Sequence, residues 1–217
     1  MAGGDHNSGL ANSFTDLMTS LAVIFILLLC ASLNNAQQEG QNVRAAIIAD
    51  LQRELQSFFK QGVEVKKDPR DPLGLIVLVP EGLLQFALND DNIPQEGRRF
   101  LNAFIPKLAS TMLSPRFRDD INSVVVEGHT DSSGTDAINL PLSQRRSLSV
   151  VMESLGVLDG DARMCFLKLL SASGRGSMEP FIDTKTGHED MGKSRRVFFK
   201  IRVRSLEQKT IYKYIDS

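Results

Sequence analysis

The sequence predicts a mixed α/β domain behind one membrane-spanning helix and one amphipathic helix. Residues 14–33 form an apolar run long enough to cross a bilayer, and residues 43–59 repeat apolar side chains at helical spacing. The rest of the chain, from about residue 62, alternates strand and helix patterns in the order βαβαβ with one extra segment. The expected fold class is therefore an α+β sandwich in which helices pack on one sheet.

The composition suits one globular domain with an extension. The 217 residues include 42% hydrophobic and 24% charged residues, and the formal net charge is −1. Lys and Arg total 25 against 26 Asp and Glu, so no basic excess favours a nucleic-acid partner. The two cysteines, Cys30 in the apolar run and Cys165 far downstream, predict neither an intramolecular disulfide nor a zinc site.

The apolar run at residues 14–33 is interpreted as a membrane anchor. At about 1.5 Å per residue it reaches roughly 30 Å, the thickness of the hydrocarbon core. A cleaved signal peptide is disfavoured because residues 1–13 contain no Lys or Arg and include Asp5. A lipoprotein signal is disfavoured because Leu29, a large residue, precedes Cys30. A buried helix of a soluble protein is the remaining alternative.

Asp16 lies near the start of this run, and the residues alone allow two interpretations. If Ser13 or Thr15 caps the helix, Asp16 occupies the first turn, where the helix dipole favours a carboxylate. If the helix begins earlier, near Leu10, Asp16 lies inside the hydrocarbon edge, where charge is costly. In that case the carboxylate could take up and release a proton.

The stretch "SFTDLMTSLAVIFILLL" resembles the start of the transmembrane helix in stator subunits of the MotB and ZorB type. Phe14, Asp16, Leu17, Met18 and Thr19 fall on the motif of that family. The resemblance implies that Asp16, with Thr19, carries an ion, either H⁺ or Na⁺. It also implies a multi-span MotA/ZorA-like membrane partner that forms a ring of five around a homodimer of this chain.

An amphipathic helix is expected over residues 43–59, after a polar linker. Its apolar side chains recur at steps of four and three. They form one stripe: Val43, Ile47, Leu51, Leu55 and Phe58. Three roles are open for the stripe: packing on the globular domain, forming a dimer seam, or acting as the plug that stator subunits carry here. The pattern does not choose among these.

Five elements are predicted for the domain itself. They are a strand over 73–80, a helix over 94–112, a strand over 121–131 that runs into a loop, a helix over 140–155 and a strand over 195–203. The helix over 94–112 includes Pro106 and is expected to kink or to be shortened there, because proline lacks the N–H that a helix needs.

Charged side chains concentrate between residues 126 and 151. A loop after a strand holds four of them, and the next helix holds two: Glu127, His129, Asp131, Asp136, Arg145 and Arg146. A single histidine among these carboxylates is weak evidence for a metal site, so we expect no metal and no cofactor. No Ser or Cys nucleophile pattern accompanies the histidine, so we expect no enzyme activity. Arg clamps a carboxylate and Asp accepts from an ammonium group, which together suit a zwitterion.

This loop and helix resemble the OmpA-like peptidoglycan-binding domain. The matching positions are Gly128, His129, Thr130, Asp131, Gly134, Asn139, Leu142, Ser143 and Arg146, then Gly174, Gly176 and Pro180, then Arg195, Arg196 and Val197. The resemblance implies that Asp131 and Arg146 bind the diaminopimelate of the peptide stem, with Thr130, Asn139 and Arg195 beside them. Ser194 replaces the usual Asn, and Arg145 leaves the register of the arginine open by one residue. The alternative is that these residues do not bind a ligand. In that case Asp131 is a structural cap of the loop, and Arg195 and Arg196 lie on a solvated edge strand.

Together these resemblances predict a peptidoglycan-anchored stator subunit of an ion-driven motor, with the proton as the expected ion. Because peptidoglycan lies outside the inner membrane, the N-terminus is expected in the cytoplasm and the C-terminal domain in the periplasm. The short chain and the lack of a basic, Trp-containing lead-in favour Zorya-type anti-phage defence over a flagellar motor, and a plain wall anchor of the OmpA or Pal kind is the other alternative. The expected segments are a tail (1–13), a transmembrane helix (14–33), a linker or plug (34–61), the OmpA-like domain (62–205) and a tail without assigned role (206–217).

Overall fold

The structure, a computed structural model, describes residues 5–205 and 208–209, with side chains from residue 13 onward. The chain divides into two compact units, Met1–Glu39 and Gly40–Ser217. The predicted tail over 206–217 lies outside the described residues except for 208–209.

The described part of the first unit, residues 5–39, is helical. Helix α1 spans Asp5–Glu54, and its portion from Gly40 onward belongs to the second unit. The helix is long and apolar enough to cross a membrane. Because it begins at Asp5, Asp16 lies in its interior, and the interpretation of Asp16 as a first-turn carboxylate behind a cap is wrong. The Thr19 hydroxyl donates to the Thr15 carbonyl at 2.7 Å, one turn back.

The second unit is built on a five-stranded sheet with strand order β1-β2-β5-β3-β4. Strands β3 and β4 are parallel, and the other neighbouring pairs are antiparallel. The strands are β1 (Glu64–Lys67), β2 (Gly74–Pro80), β3 (Ile121–His129), β4 (Leu170–Gly174) and β5 (Arg196–Val203). The remaining helices are α2 (Gln56–Phe59), α3 (Glu81–Leu84), α4 (Gln95–Met112), α5 (Asp136–Val157), α6 (Gly160–Leu169) and α7 (Met191–Ser194).

One hydrophobic core lies between one face of the sheet and the helices. Phe104 of α4 and Phe199 of β5 are fully buried there, with ring centroids 5.6 Å apart. The stripe at the end of α1 belongs to the same core, and its residues Ile47, Leu51 and Leu55 have no exposed surface. Burying each such side chain stabilises the fold by about 1.5–3 kcal/mol. Within this unit the stripe packs on the domain, so a plug or a dimer seam made from it would require it to leave this core.

The strongly periodic elements occur where the sequence predicts them, whereas helix α6 and strands β1 and β4 were not predicted. Helix α4 starts after Pro94 and continues through Pro106 to Met112, so the expected shortening is wrong. Pro106 leaves only the carbonyl of Asn102, an exposed residue, without its helical donor. Strands β1 and β4 were not predicted, because EVKK has one apolar residue and the alternation in LSASG is limited to Leu170 and Ala172. Both lie at the edges of the sheet, where burial demands little of them.

Candidate functional site

An open cleft of about 540 Å³ lies where β3 ends and α5 begins. The α3–α4 loop and the end of α7 complete its walls. All five residues predicted to bind peptidoglycan line it: Thr130, Asp131, Asn139, Arg146 and Arg195. The fold therefore gathers into one cavity side chains that three separate parts of the sequence supply.

Asp131 is buried at the turn that follows β3. Its Oδ1 accepts the Ser133 N–H at 3.0 Å and also the Ser133 hydroxyl. Its Oδ2 accepts from Arg195 Nη1 at 2.5 Å. Burial by itself would raise the pKa of Asp131, but the hydrogen bonds from Ser133 and Arg195 outweigh it and lower the pKa. The carboxylate is therefore ionised at neutral pH.

The loop that carries Asp131 is held by Asn139 and by two glycines. The Asn139 amide donates to the carbonyls of Asp131 at 3.3 Å and Ser133 at 3.0 Å, which fixes the shape of the turn. Gly134 has a φ of 89°, where side chains are strained. A Cβ on Gly128 would lie 2.4 Å from the Ser143 carbonyl oxygen, so glycine allows β3 to approach α5 closely.

Arg146, and not its neighbour Arg145, points into the cleft. Arg146 is buried, and its Nη1 lies 2.5 Å from Glu81 Oε1. Its Nε and Nη2 donate to the carbonyls of Asp90 at 2.9 Å and Ala87 at 3.0 Å. Arg145 is exposed and pairs with Asp91 at 3.2 Å. The structure thus places the arginine of the motif at position 146.

Glu81 is a site residue that sequence reasoning missed. It directly follows β2 and is buried, with Oε1 paired to Arg146 and Oε2 3.1 Å from Arg195 Nε. Burial raises the pKa of Glu81, although both arginines oppose the rise. The cleft therefore holds an alternating series of charges, Arg146, Glu81, Arg195 and Asp131. The available signal was an acid at the end of a buried strand, a common place for ligand contacts.

Two buried polar atoms of the cleft have no hydrogen-bond partner among the residues that the structure describes. They are Oε2 of Glu81, which meets Arg195 in an ion pair without hydrogen-bond geometry, and Oγ1 of Thr130. The backbone N–H of Thr130 is engaged, since it donates to the Gly176 carbonyl at 2.9 Å. Buried polar groups without partners are rare, so both atoms are candidates to meet a ligand.

Arg195 and Arg196 point to different places. Arg195 reaches the cleft, whereas buried Arg196 donates to the carbonyls of Ser194 and Glu179, both at 2.9 Å. Strand β5 is the middle strand of the sheet, so the interpretation of these arginines as a solvated edge strand is wrong. Ser194, which replaces the usual Asn, is buried and accepts the Phe181 N–H at 2.9 Å.

A second charged cluster, Glu127, His129 and Glu179, has side-chain ligand atoms close enough together to hold a metal ion. Both carboxylates already meet cations: Lys200 lies 2.6 Å from Glu127, and Arg175 lies 2.8 Å from Glu179. His129 contacts Glu127 at 3.1 Å, and burial lowers the pKa of the imidazole. With Arg70, which also pairs with Glu179, the cluster is an ion-pair network that its own cations occupy.

Asp16 and Thr19, the predicted ion-translocating residues, lie in the first unit. Both side chains are exposed on α1. The Thr19 hydroxyl uses its proton on the Thr15 carbonyl, which leaves its oxygen able to accept.

Comparison with curated proteins finds the chain similar to two Escherichia coli proteins called Zorya protein ZorB. The first, from strain Crooks, is 26% identical over 206 residues, which are 87% of this chain and 86% of the relative. The second, from an O139:H28 strain, is 29% identical over 74% of this chain, which spans 64% of the relative's length. Outer membrane protein A of Bordetella avium is 27% identical over 64% of this chain and 66% of its own length. No protein-family model matches the chain.

Solved structures share the fold. A putative MotB-like protein from Desulfovibrio vulgaris superposes with a TM-score of 0.56 at 20% identity, over 78% of this chain and 96% of its own. The periplasmic domain of Helicobacter pylori MotB superposes with a TM-score of 0.50 at 19% identity, over 71% of this chain and 90% of its own. At these identities the likeness establishes the architecture alone.

Proposed function

We propose that the chain is a peptidoglycan-anchored stator subunit of an ion-driven inner-membrane motor that serves Zorya-type anti-phage defence. The premise is its similarity to ZorB proteins and to Outer membrane protein A, together with the fold that it shares with MotB-like structures. The observation that carries the anchoring role is the cleft in which Thr130, Asp131, Asn139, Arg146 and Arg195 meet. Similarity to ZorB over most of the chain supports the defence role.

The cleft suits the free end of a diaminopimelate side chain, which carries one ammonium group and one carboxylate. The guanidinium groups of Arg146 and Arg195 supply donors for the carboxylate. Asp131 and the unpartnered hydroxyl of Thr130 supply acceptors for the ammonium group. Asn139 acts on the ligand indirectly, because its amide holds the loop in shape.

The ion-carrying role is assigned to Asp16. Protonation neutralises its carboxylate and releases it from a polar partner site, and deprotonation on the other side resets it. Each charge that crosses the membrane supplies about 2.3 kcal/mol per 100 mV of potential. One helix cannot enclose a water-filled path, so a multi-span MotA/ZorA-like subunit is required, with five copies around two of this chain.

The orientation follows from the anchor. With the cleft on the peptidoglycan side, the C-terminal domain is periplasmic, and residues 1–13 are cytoplasmic. A subunit held by the cell wall stays still while ions pass Asp16 and its partner ring turns around it.

The anchoring role is tested by sedimentation of the full chain, in detergent, with purified peptidoglycan. Arg146→Ala and Asp131→Ala each remove charge-assisted hydrogen bonds worth about 1.5–3 kcal/mol, so binding should weaken by roughly 10-fold to 150-fold. Arg145→Ala is the matched control, because Arg145 is exposed and pairs with Asp91. The anchoring role is contradicted if Arg146→Ala and Asp131→Ala both bind peptidoglycan as well as the wild type. It is also contradicted if Arg145→Ala weakens binding as much as they do.

A further inference from the structure

Glu81 is built into the wall of the cleft. Its backbone N–H donates to the Arg195 carbonyl at 3.3 Å, and its side chain lies between the guanidinium groups of Arg146 and Arg195. The residue comes from the end of β2, a part of the chain that the sequence motif does not include. Its position thus depends on the packing of β2 beside β5.

The two carboxylates of the cleft differ in the acceptor capacity that they have left. Asp131 already accepts three hydrogen bonds, two at Oδ1 from Ser133 and one at Oδ2 from Arg195, which leaves one acceptor position on Oδ2. The buried Oε2 of Glu81 accepts no hydrogen bond from any residue that the structure describes. A ligand ammonium group that enters the cleft therefore finds acceptors at Glu81 Oε2 and at Thr130 Oγ1, beside the remaining position on Asp131.

Glu81 also sets the charge of the cleft. With two arginines and two carboxylates the four charges cancel, which matches a ligand centre with one ammonium group and one carboxylate. Without Glu81 the cleft would carry one net positive charge and would favour a ligand that has carboxylates alone. Glu81 therefore contacts the ligand and also makes the cleft favour a zwitterion over a ligand that has carboxylates alone.

We propose that Glu81 binds the ammonium group of the ligand and makes the cleft selective for zwitterions over plain carboxylates. This inference rests on the proposed function of the cleft. Burial keeps the pKa of Glu81 above its ordinary value, and an incoming ammonium group would favour the ionised form, so protonation and ligand binding oppose each other at this group.

The test uses the full chain in detergent with two probes, meso-diaminopimelate and pimelate, by calorimetry. The probes share a carbon chain and two carboxylates, but only the first has ammonium groups. The wild type should prefer diaminopimelate by at least about tenfold, and Glu81→Gln should lose about tenfold in affinity for it while pimelate binds as well or better. Asp91→Asn, a neighbouring acid that pairs with Arg145 instead, should keep the wild-type preference.

Each other outcome overturns the inference in a recognisable way. If Glu81→Gln keeps the wild-type preference, Glu81 makes no selective contact. If it loses affinity for both probes equally while its thermal unfolding is unchanged, Glu81 only positions the arginines. If Asp131→Ala and Arg146→Ala leave peptidoglycan binding intact, the proposed function itself fails, which the sedimentation assay reports independently of Glu81.

Discussion

Asp16 and Asp131 stand in opposite surroundings, although the proposed function needs both. Asp131 is buried, and partners from its own chain, Ser133 and Arg195, occupy its carboxylate. Asp16 is exposed on α1, inside a run, residues 13–33, in which it is the single charged residue. A carboxylate whose partners are fixed within the chain suits binding, whereas one that must meet groups of another subunit suits transport.

The contrast separates what one chain can do alone from what needs an assembly. The residues that line the cleft all come from one chain, so in the proposed function peptidoglycan binding should not depend on the membrane partner. The proposed ion path does need that partner, because one helix cannot surround water. Experiments that damage one aspartate should therefore leave the role of the other intact.

The largest stability effect is expected from the hydrophobic core of the second unit, which also carries the cleft. Leu51→Ala removes a fully buried side chain, and the cavity should lower the free energy of unfolding of the second unit by about 2–5 kcal/mol. Leu28→Ala on the same helix is the control, because Leu28 is 64% exposed. Urea unfolding of the full chain in detergent measures both. Equal stability of the two variants would contradict the placement of the stripe in the core.

A smaller effect is expected from acid. Burial alone would raise the pKa of Glu179, but hydrogen bonds from Arg70 and Arg175 overcome it and lower the pKa to about 2. A lowered pKa stabilises the fold above the ordinary value of 4.5, and this contribution is lost as the pH falls from there toward about 2. As the pH is lowered from 7 to 2, the denaturation midpoint should therefore fall less steeply for Glu179→Gln than for the wild type. The slope for Arg70→Gln should lie between the two. If the midpoint of Glu179→Gln falls with acid as steeply as that of the wild type, Glu179 does not contribute this pH-dependent stability.

The sequence predicts those parts of the molecule whose structure depends on residues close together in the chain. The apolar steps of α4 and the spacing of Asp131 and Arg146 predicted a helix and two walls of the cleft. Glu81 was missed because its role arises from the placement of β2 beside β5, a long-range pairing that no local pattern encodes. The edge strand β4 was missed because its apolar alternation is limited to Leu170 and Ala172, which is too short a pattern to indicate a strand.

The most direct test of the whole account is phage plaquing efficiency on the native host, with swimming scored on the same strains, for the wild type and Asp16→Asn. Asparagine keeps the shape of aspartate and removes its titration, and Asp16→Glu serves as the control that keeps the acid. If Asp16 carries the ion, Asp16→Asn should abolish protection while protein level, peptidoglycan binding and swimming stay unchanged. Loss of swimming alone would assign the chain to a flagellar motor, and full protection by Asp16→Asn would contradict the ion-carrying role and leave a plain wall anchor.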